Sequence, residues 1–176
     1  MTQGFELPLE VLLGDGTAIS IERVPYRDLP FLIRSVAANS PEVRVELSSG
    51  DNAREHLCVH ISERCVALYL VESSQLHVLD TITLEHIGNL QITRHDDVRS
   101  SLRRARFHVS GDWLVFENEK NIFRINSRVV ERLDIEYLYP KQSVVEVTSS
   151  TVIIDDGGES LEYLSLIHIS EPTRPY

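Results

Sequence analysis

The sequence predicts a mainly β protein built from antiparallel hairpin repeats, with one helix near the N-terminus. Three observations carry this expectation. Apolar Cys65 to Val71 is followed by a polar break, Glu72-Ser73-Ser74-Gln75, and then by Leu76-His77-Val78-Leu79-Asp80. The same arrangement returns as Trp113-Leu114-Val115-Phe116, a polar break from Glu117 to Asn121, and Ile122-Phe123-Arg124-Ile125-Asn126. Two apolar runs across a short polar turn read as a β-hairpin. The third observation is Asp15-Gly16 between two apolar runs, a strong hairpin signal because glycine reaches positive φ at no steric cost. The alternative is a single α+β domain with a β-barrel or sandwich core.

Taken in order, Leu9 to Leu13 and Ala18 to Ile21 form the first hairpin around Gly14-Asp15-Gly16-Thr17. Pro25 breaks the second strand. Tyr26 to Ala38 is the expected helix, because Leu29, Leu32, Ile33 and Val36 fall at i, i+3, i+4 and i+7. Asp28 would cap it and Pro30 would sit in its first turn, where a missing N–H costs little. Asn39-Ser40-Pro41 stops it. Val43 to Leu47 alternates as a half-buried strand, and Ser48 to Asn52 is a loop. Leu57, Val59 and Ile61 alternate with His56, Cys58 and His60. After Asp80-Thr81, Ile82 to Ile87 reads as a further alternating strand. The stretch Ser100 to Arg106 fits a helical turn or an extended connection equally. Val129 to Leu133 follows the second repeat. Val144 to Val147 and Thr151 to Ile154 form a last pair, and Asp155-Asp156-Gly157-Gly158 is a turn signal. Trp113 and Phe116 are expected to be largely buried and to anchor the second hairpin.

The hairpin copies start at Ser62, Ser110 and Thr148, which are 48 and 38 residues apart. A propeller blade of the WD type takes about 40–45 residues. The run from Val78 to Gly88 resembles the passage between the third and fourth strands of such a blade. The resemblance covers about residues 58–163, without the Gly-His and Trp-Asp dipeptides of the WD family and with an uneven period. It implies a propeller-like fragment. The expected organisation is an N-terminal hairpin plus helix over 1–52, propeller-like β repeats over 53–163, and a non-native tail over 164–176. The tail reading rests on Leu164 to Arg174, which resembles a translated sequencing-library adapter; it implies a native reading that ends near Tyr163 and a truncated chain.

Composition narrows the function classes. The 176 residues are 42% hydrophobic and 25% charged, in the range of soluble globular domains. Seventeen basic against 27 acidic residues leave a net charge of −10, which repels phosphate backbones, so no nucleic-acid partner is expected. Two cysteines, Cys58 and Cys65, are too few for a disulfide framework and point to a reducing, cytoplasmic setting. Residues 1–6 lack a signal-peptide pattern, and no apolar run approaches the ~18 residues of a membrane span, so no membrane partner is expected.

Three clusters of residues could carry chemistry. His56, Cys58 and His60 share one strand face and could hold zinc with Cys65 as a fourth ligand. The alternation that puts Leu57, Val59 and Ile61 in the core makes an ordinary strand face the favoured reading, so no metal or cofactor is expected. Arg94-His95-Asp96-Asp97 sets an imidazole beside two carboxylates, but neighbours in sequence do not by themselves converge in space, and a polar loop is favoured. No nucleophile elbow, P-loop or dinucleotide fingerprint occurs, and no catalytic residue is assigned. Arg99, Arg103, Arg104 and Arg106 place four cations in eight residues without a carboxylate. Their planar guanidinium groups suit carboxylates, so these four residues are the expected partner-binding site, for an acidic protein surface. The expected function is a non-catalytic protein-interaction or scaffolding module. Alternatives are a fragment of a hydrolase-class enzyme whose catalytic residues lie partly beyond residue 163, and a small regulatory or immunity-type domain.

Overall fold

A computed structural model describes residues 7–24, 31–48, 56–92, 105–118, 121–133, 143–148, 151–155 and 160–164. These residues form fifteen β-strands and no helix. The first sheet is β1 (Leu9–Leu12), β2 (Ala18–Arg23), β3 (Phe31–Val36) and β4 (Val43–Leu47). The second is β5 (Leu57–Ile61), β6 (Cys65–Leu70), β7 (Gln75–Asp80) and β8 (His86–Gln91). The third is β9 (Arg106–Ser110), β10 (Trp113–Asn118), β11 (Asn121–Ile125) and β12 (Val130–Leu133). A fourth holds β13 (Ser143–Val147), β14 (Thr151–Asp155) and β15 (Ser160–Leu164). Within every sheet the strands lie in sequence order and pair antiparallel, so each sheet is a simple meander.

The repeated starts seen in the sequence occupy equivalent places. Ser62, Ser110 and Thr148 each open the turn between the first and second strands of their sheet. Ser62 Oγ accepts from the Cys65 amide at 3.2 Å, and Thr148 Oγ1 accepts from the Thr151 amide at 2.9 Å. A hydroxyl there takes up an amide that the tight turn would leave unpaired.

The four sheets stack face on face in chain order, and period-two alternation does the sorting. In β6, Val66, Leu68 and Leu70 enter a core shared with Ile19, Ile21, Phe31 and Ile33 of the first sheet. Cys65, Ala67 and Tyr69 point the other way, into a core shared with Leu114, Phe116, Phe123 and Ile125 of the third. Val115 leaves β10 on the opposite side from Phe116 and packs with Ile122, Leu133, Val152 and Ile154 toward the fourth sheet. Phe116 is fully buried, its ring centroid 4.8 Å from that of Tyr69 and 4.9 Å from that of Phe107. Burial of each such side chain contributes roughly 1.5–3 kcal/mol. The sheets approach closely at their edges: a Cβ on Gly88 of β8 would lie 2.6 Å from Val130 Cγ2 of β12, so only glycine fits without a shift.

Two expectations are corrected. The helix over Tyr26 to Ala38 is not formed: Phe31–Val36 is β3, paired on one side with β2 and on the other with β4. Tyr26 to Pro30 lies outside the described residues. Phe31, Ile33 and Ser35 are the buried face, at 0%, 0% and 1% exposure, a period of two. The helical spacing of Leu32, Ile33 and Val36 mixes the two faces of this strand. Ser35 hides the true period by putting a polar residue in the core, where its hydroxyl donates to Thr81 O at 2.6 Å. The described part of 1–52 is therefore a complete four-stranded meander.

The strand expected from Ile82 starts later. Asp80 Oδ1 accepts from the amides of Ile82 and Thr83 at 2.9 and 2.8 Å, which closes a turn. Leu84 sits at φ 53° as a buried plug, and β8 begins at His86.

Candidate functional site

The hairpin turns gather at one end of the stack, and a cleft of about 450 Å³ opens among them. Leu13, at the start of the β1–β2 turn, contributes from the first sheet. Glu63 and Arg64 come from the β5–β6 turn. Val109, Asp112, Trp113 and Leu114 come from β9, β10 and the turn between them. Val109 is 65% exposed, although it is a β-branched aliphatic residue on a strand, and Trp113 is half-buried rather than sequestered. In the second hairpin Phe116 is core, as expected, and Trp113 keeps only part of its surface open at the cleft. The Arg124 guanidinium lies over the indole, 4.6 Å from the ring centroid.

The rim of this cleft carries two carboxylates and one guanidinium. Arg64 bridges the second and third sheets, donating from Nη1 to Asp112 O at 3.1 Å and approaching Asp112 Oδ1 at 3.7 Å. Both partners are exposed, so the pair contributes ~0–1 kcal/mol. Glu63 has no ion-pair partner among the described residues; its Oε1 lies over Gly14, where an added Cβ would be 2.7 Å away. His60 lines the cleft from β5 with its ring centroid 6.3 Å from that of Phe107, and burial lowers its pKa, so the imidazole is neutral at pH 7.

The other clusters fall elsewhere. Cys58 and His60 share the face of β5 that looks onto the third sheet, with Cys58 Sγ 3.8 Å from Ala105 O, whereas His56 precedes the strand. Burial pushes the Cys58 thiol up to about 11, which keeps it protonated and a poor nucleophile. His56 is bound to Glu72 through both its ring and its amide. Among the described residues no three His, Cys, Asp or Glu side chains converge on a metal position, and no helix is long and apolar enough to cross a membrane.

Arg94 to Asp97, with Arg99, Arg103 and Arg104, lies outside the described residues. Arg106 is described. It starts β9 and its Nε donates to Glu117, a residue only 6% exposed. Its charge is therefore largely committed to the third sheet's own carboxylate. The sequence missed the cleft because the cleft depends on which turns become neighbours; the only local trace was the recurring Ser-Glu-Arg and Ser-Gly-Asp turns themselves. In comparison with known proteins, no family model matches the chain and no curated protein matches it.

Proposed function

We propose that this protein is a non-catalytic protein-interaction module, a propeller-like stack of antiparallel meanders that holds its connections in fixed positions. The observation that carries the reading is the repetition of one unit. The second and third sheets each open with a Ser-led turn, bury nearly all of their second strand on both faces, and set their first strands side by side: β5 neighbours β9 through Cys58 and Ala105 and through His60 and Phe107. A blade array of this kind is stiff, and its variable connections supply the specificity.

The residues that would contact an acidic protein surface are Arg99, Arg103 and Arg104. They lie in the connection between β8 and β9, whose flanks Ile92 and Ala105 are buried between the second and third sheets. Arg106 is set apart from these three, because replacing it would strand the buried carboxylate of Glu117. The test is capture from a native lysate with the triple variant Arg99→Ser, Arg103→Ser, Arg104→Ser beside the parent chain. The reading expects salt-sensitive partners to be lost and the melting temperature to stay within about 2 °C, because exposed charges contribute little to stability. Retention of every partner by the triple variant defeats it.

A further inference from the structure

We propose that the cleft among the β1–β2, β5–β6 and β9–β10 turns is a second docking surface, one that takes an apolar side chain flanked by cationic residues from a partner segment. It lies at the opposite end of β9 from the arginine-bearing connection, since that connection enters β9 at Arg106 and the turn leaves it at Ser110. The two surfaces have opposite chemistry and can be tested separately.

The apolar requirement comes from the wall. Val109, Trp113 and Leu114 present a concave aliphatic and aromatic lining, with Val109 left 65% exposed to water. An exposed β-branched side chain beside a half-buried indole is the surface on which an inserted aliphatic group gains most, since both lose water at once.

The cationic requirement comes from the rim. Asp112 shares its charge with Arg64, whereas Glu63 has no ion-pair partner among the described residues. The bare Cα of Gly14 leaves room for this carboxylate at a point where a methyl group would displace it. His60 adds no opposing charge, because burial keeps it neutral. The net rim charge is therefore negative, in a chain whose overall charge is also negative, so a positively charged segment is attracted from a distance and oriented on arrival.

Trp113 is the only tryptophan in the chain, so its emission reports on the cleft directly. The experiment titrates the full 176-residue chain with a blocked pentapeptide carrying a leucine flanked by two arginines. The expected result is a saturable change in Trp113 emission that weakens as salt is raised. The same peptide with glutamates in place of the arginines should give no saturable change, and the version with serine in place of leucine should bind more weakly. Glu63→Gln should lower the affinity about two- to fivefold, the range an exposed ion pair supplies. Gly14→Ala should act in the same direction by pushing the Glu63 carboxylate aside while keeping its charge. The proposal is overturned if the arginine peptide gives no saturable change, if the glutamate peptide binds as well, or if Glu63→Gln leaves the affinity unchanged. None of these outcomes touches the reading of the arginine connection, which the lysate capture decides on its own.

Discussion

The third sheet packs against a neighbour on each face, and the two contacts are made of different materials. Toward the second sheet it presents Leu114, Phe116, Phe123 and Ile125, against Tyr69, Ala67, Leu76 and Val78. Three aromatic rings crowd around Phe116. Toward the fourth sheet the described apolar residues are Val115, Ile122, Leu133, Val152 and Ile154, and ionic groups share the face. Arg124, only 1% exposed, donates to Glu131 at 2.5 Å within its own sheet and to Thr148 O at 3.0 Å in the fourth. His108 leaves both ring nitrogens buried without a partner among the described residues. The first contact draws its strength from area, which is indifferent to register and pH. The second draws part of its strength from directed bonds, which fix where the β13–β14 turn must sit but depend on every partner being present.

Breaking the apolar contact should cost most. Phe116→Ala is expected to destabilise the protein by about 3–5 kcal/mol, read as a shift in the denaturant midpoint at constant slope. A cost under ~1 kcal/mol would mean that the second and third sheets are not held by this cluster.

Arg124→Met comes next. It leaves Glu131 and the Thr148 carbonyl without their donor and should cost about 2–3 kcal/mol, discounted from a fully buried pair because Glu131 is 25% exposed. The loss should be local: hydrogen exchange should quicken in β13 and β14 while β6 keeps its protection. Adding Glu131→Leu should recover part of the cost, since the stranded carboxylate is then gone. Equal loss of protection in β6 would contradict the division drawn between the two contacts.

Acid should act through histidine. Burial, and to a smaller degree the neighbouring His86, lower His77 from 6.5 to about 4. In the folded protein His77 Nδ1 is 3.2 Å from His86 Nε2, and its Nε2 is 3.2 Å from Gln75 Oε1. Above pH 6.5 neither the folded nor the unfolded state binds the proton, so stability is independent of this group. Between 6.5 and about 4 only the unfolded state binds it, and stability falls as the pH falls, by at most ~1.4 kcal/mol per unit. Below about 4 the effect saturates. His108, also lowered chiefly by burial, adds in the same direction. His77→Gln should flatten this part of the stability–pH curve; an unchanged curve would assign the slope elsewhere.

The smallest effect is expected at the polar contact itself. His108→Phe replaces two nitrogens without a partner among the described residues by carbon at similar shape, and should change stability by no more than about 1 kcal/mol, in the stabilising direction. A clear loss would show that the imidazole has a structural partner.

The sequence by itself determined the local units. The polar turns opened by Ser62, Ser110 and Thr148, the apolar run Cys65 to Val71, and the Asp15-Gly16 hairpin were all legible, because turn chemistry and unbroken apolar runs are written in neighbouring residues. Only the tertiary structure decided Phe31–Val36, where a polar core residue satisfied by Thr81 blurred the period and left the segment readable as a helix. It alone decided that Arg106 answers to Glu117, that Trp113 lines a cleft with Arg124 over its ring, and that the Glu63 carboxylate rests on Gly14. In each case the partner lies on another strand or another sheet, and a distance in space between residues far apart in the chain leaves no mark on the local pattern that a sequence displays.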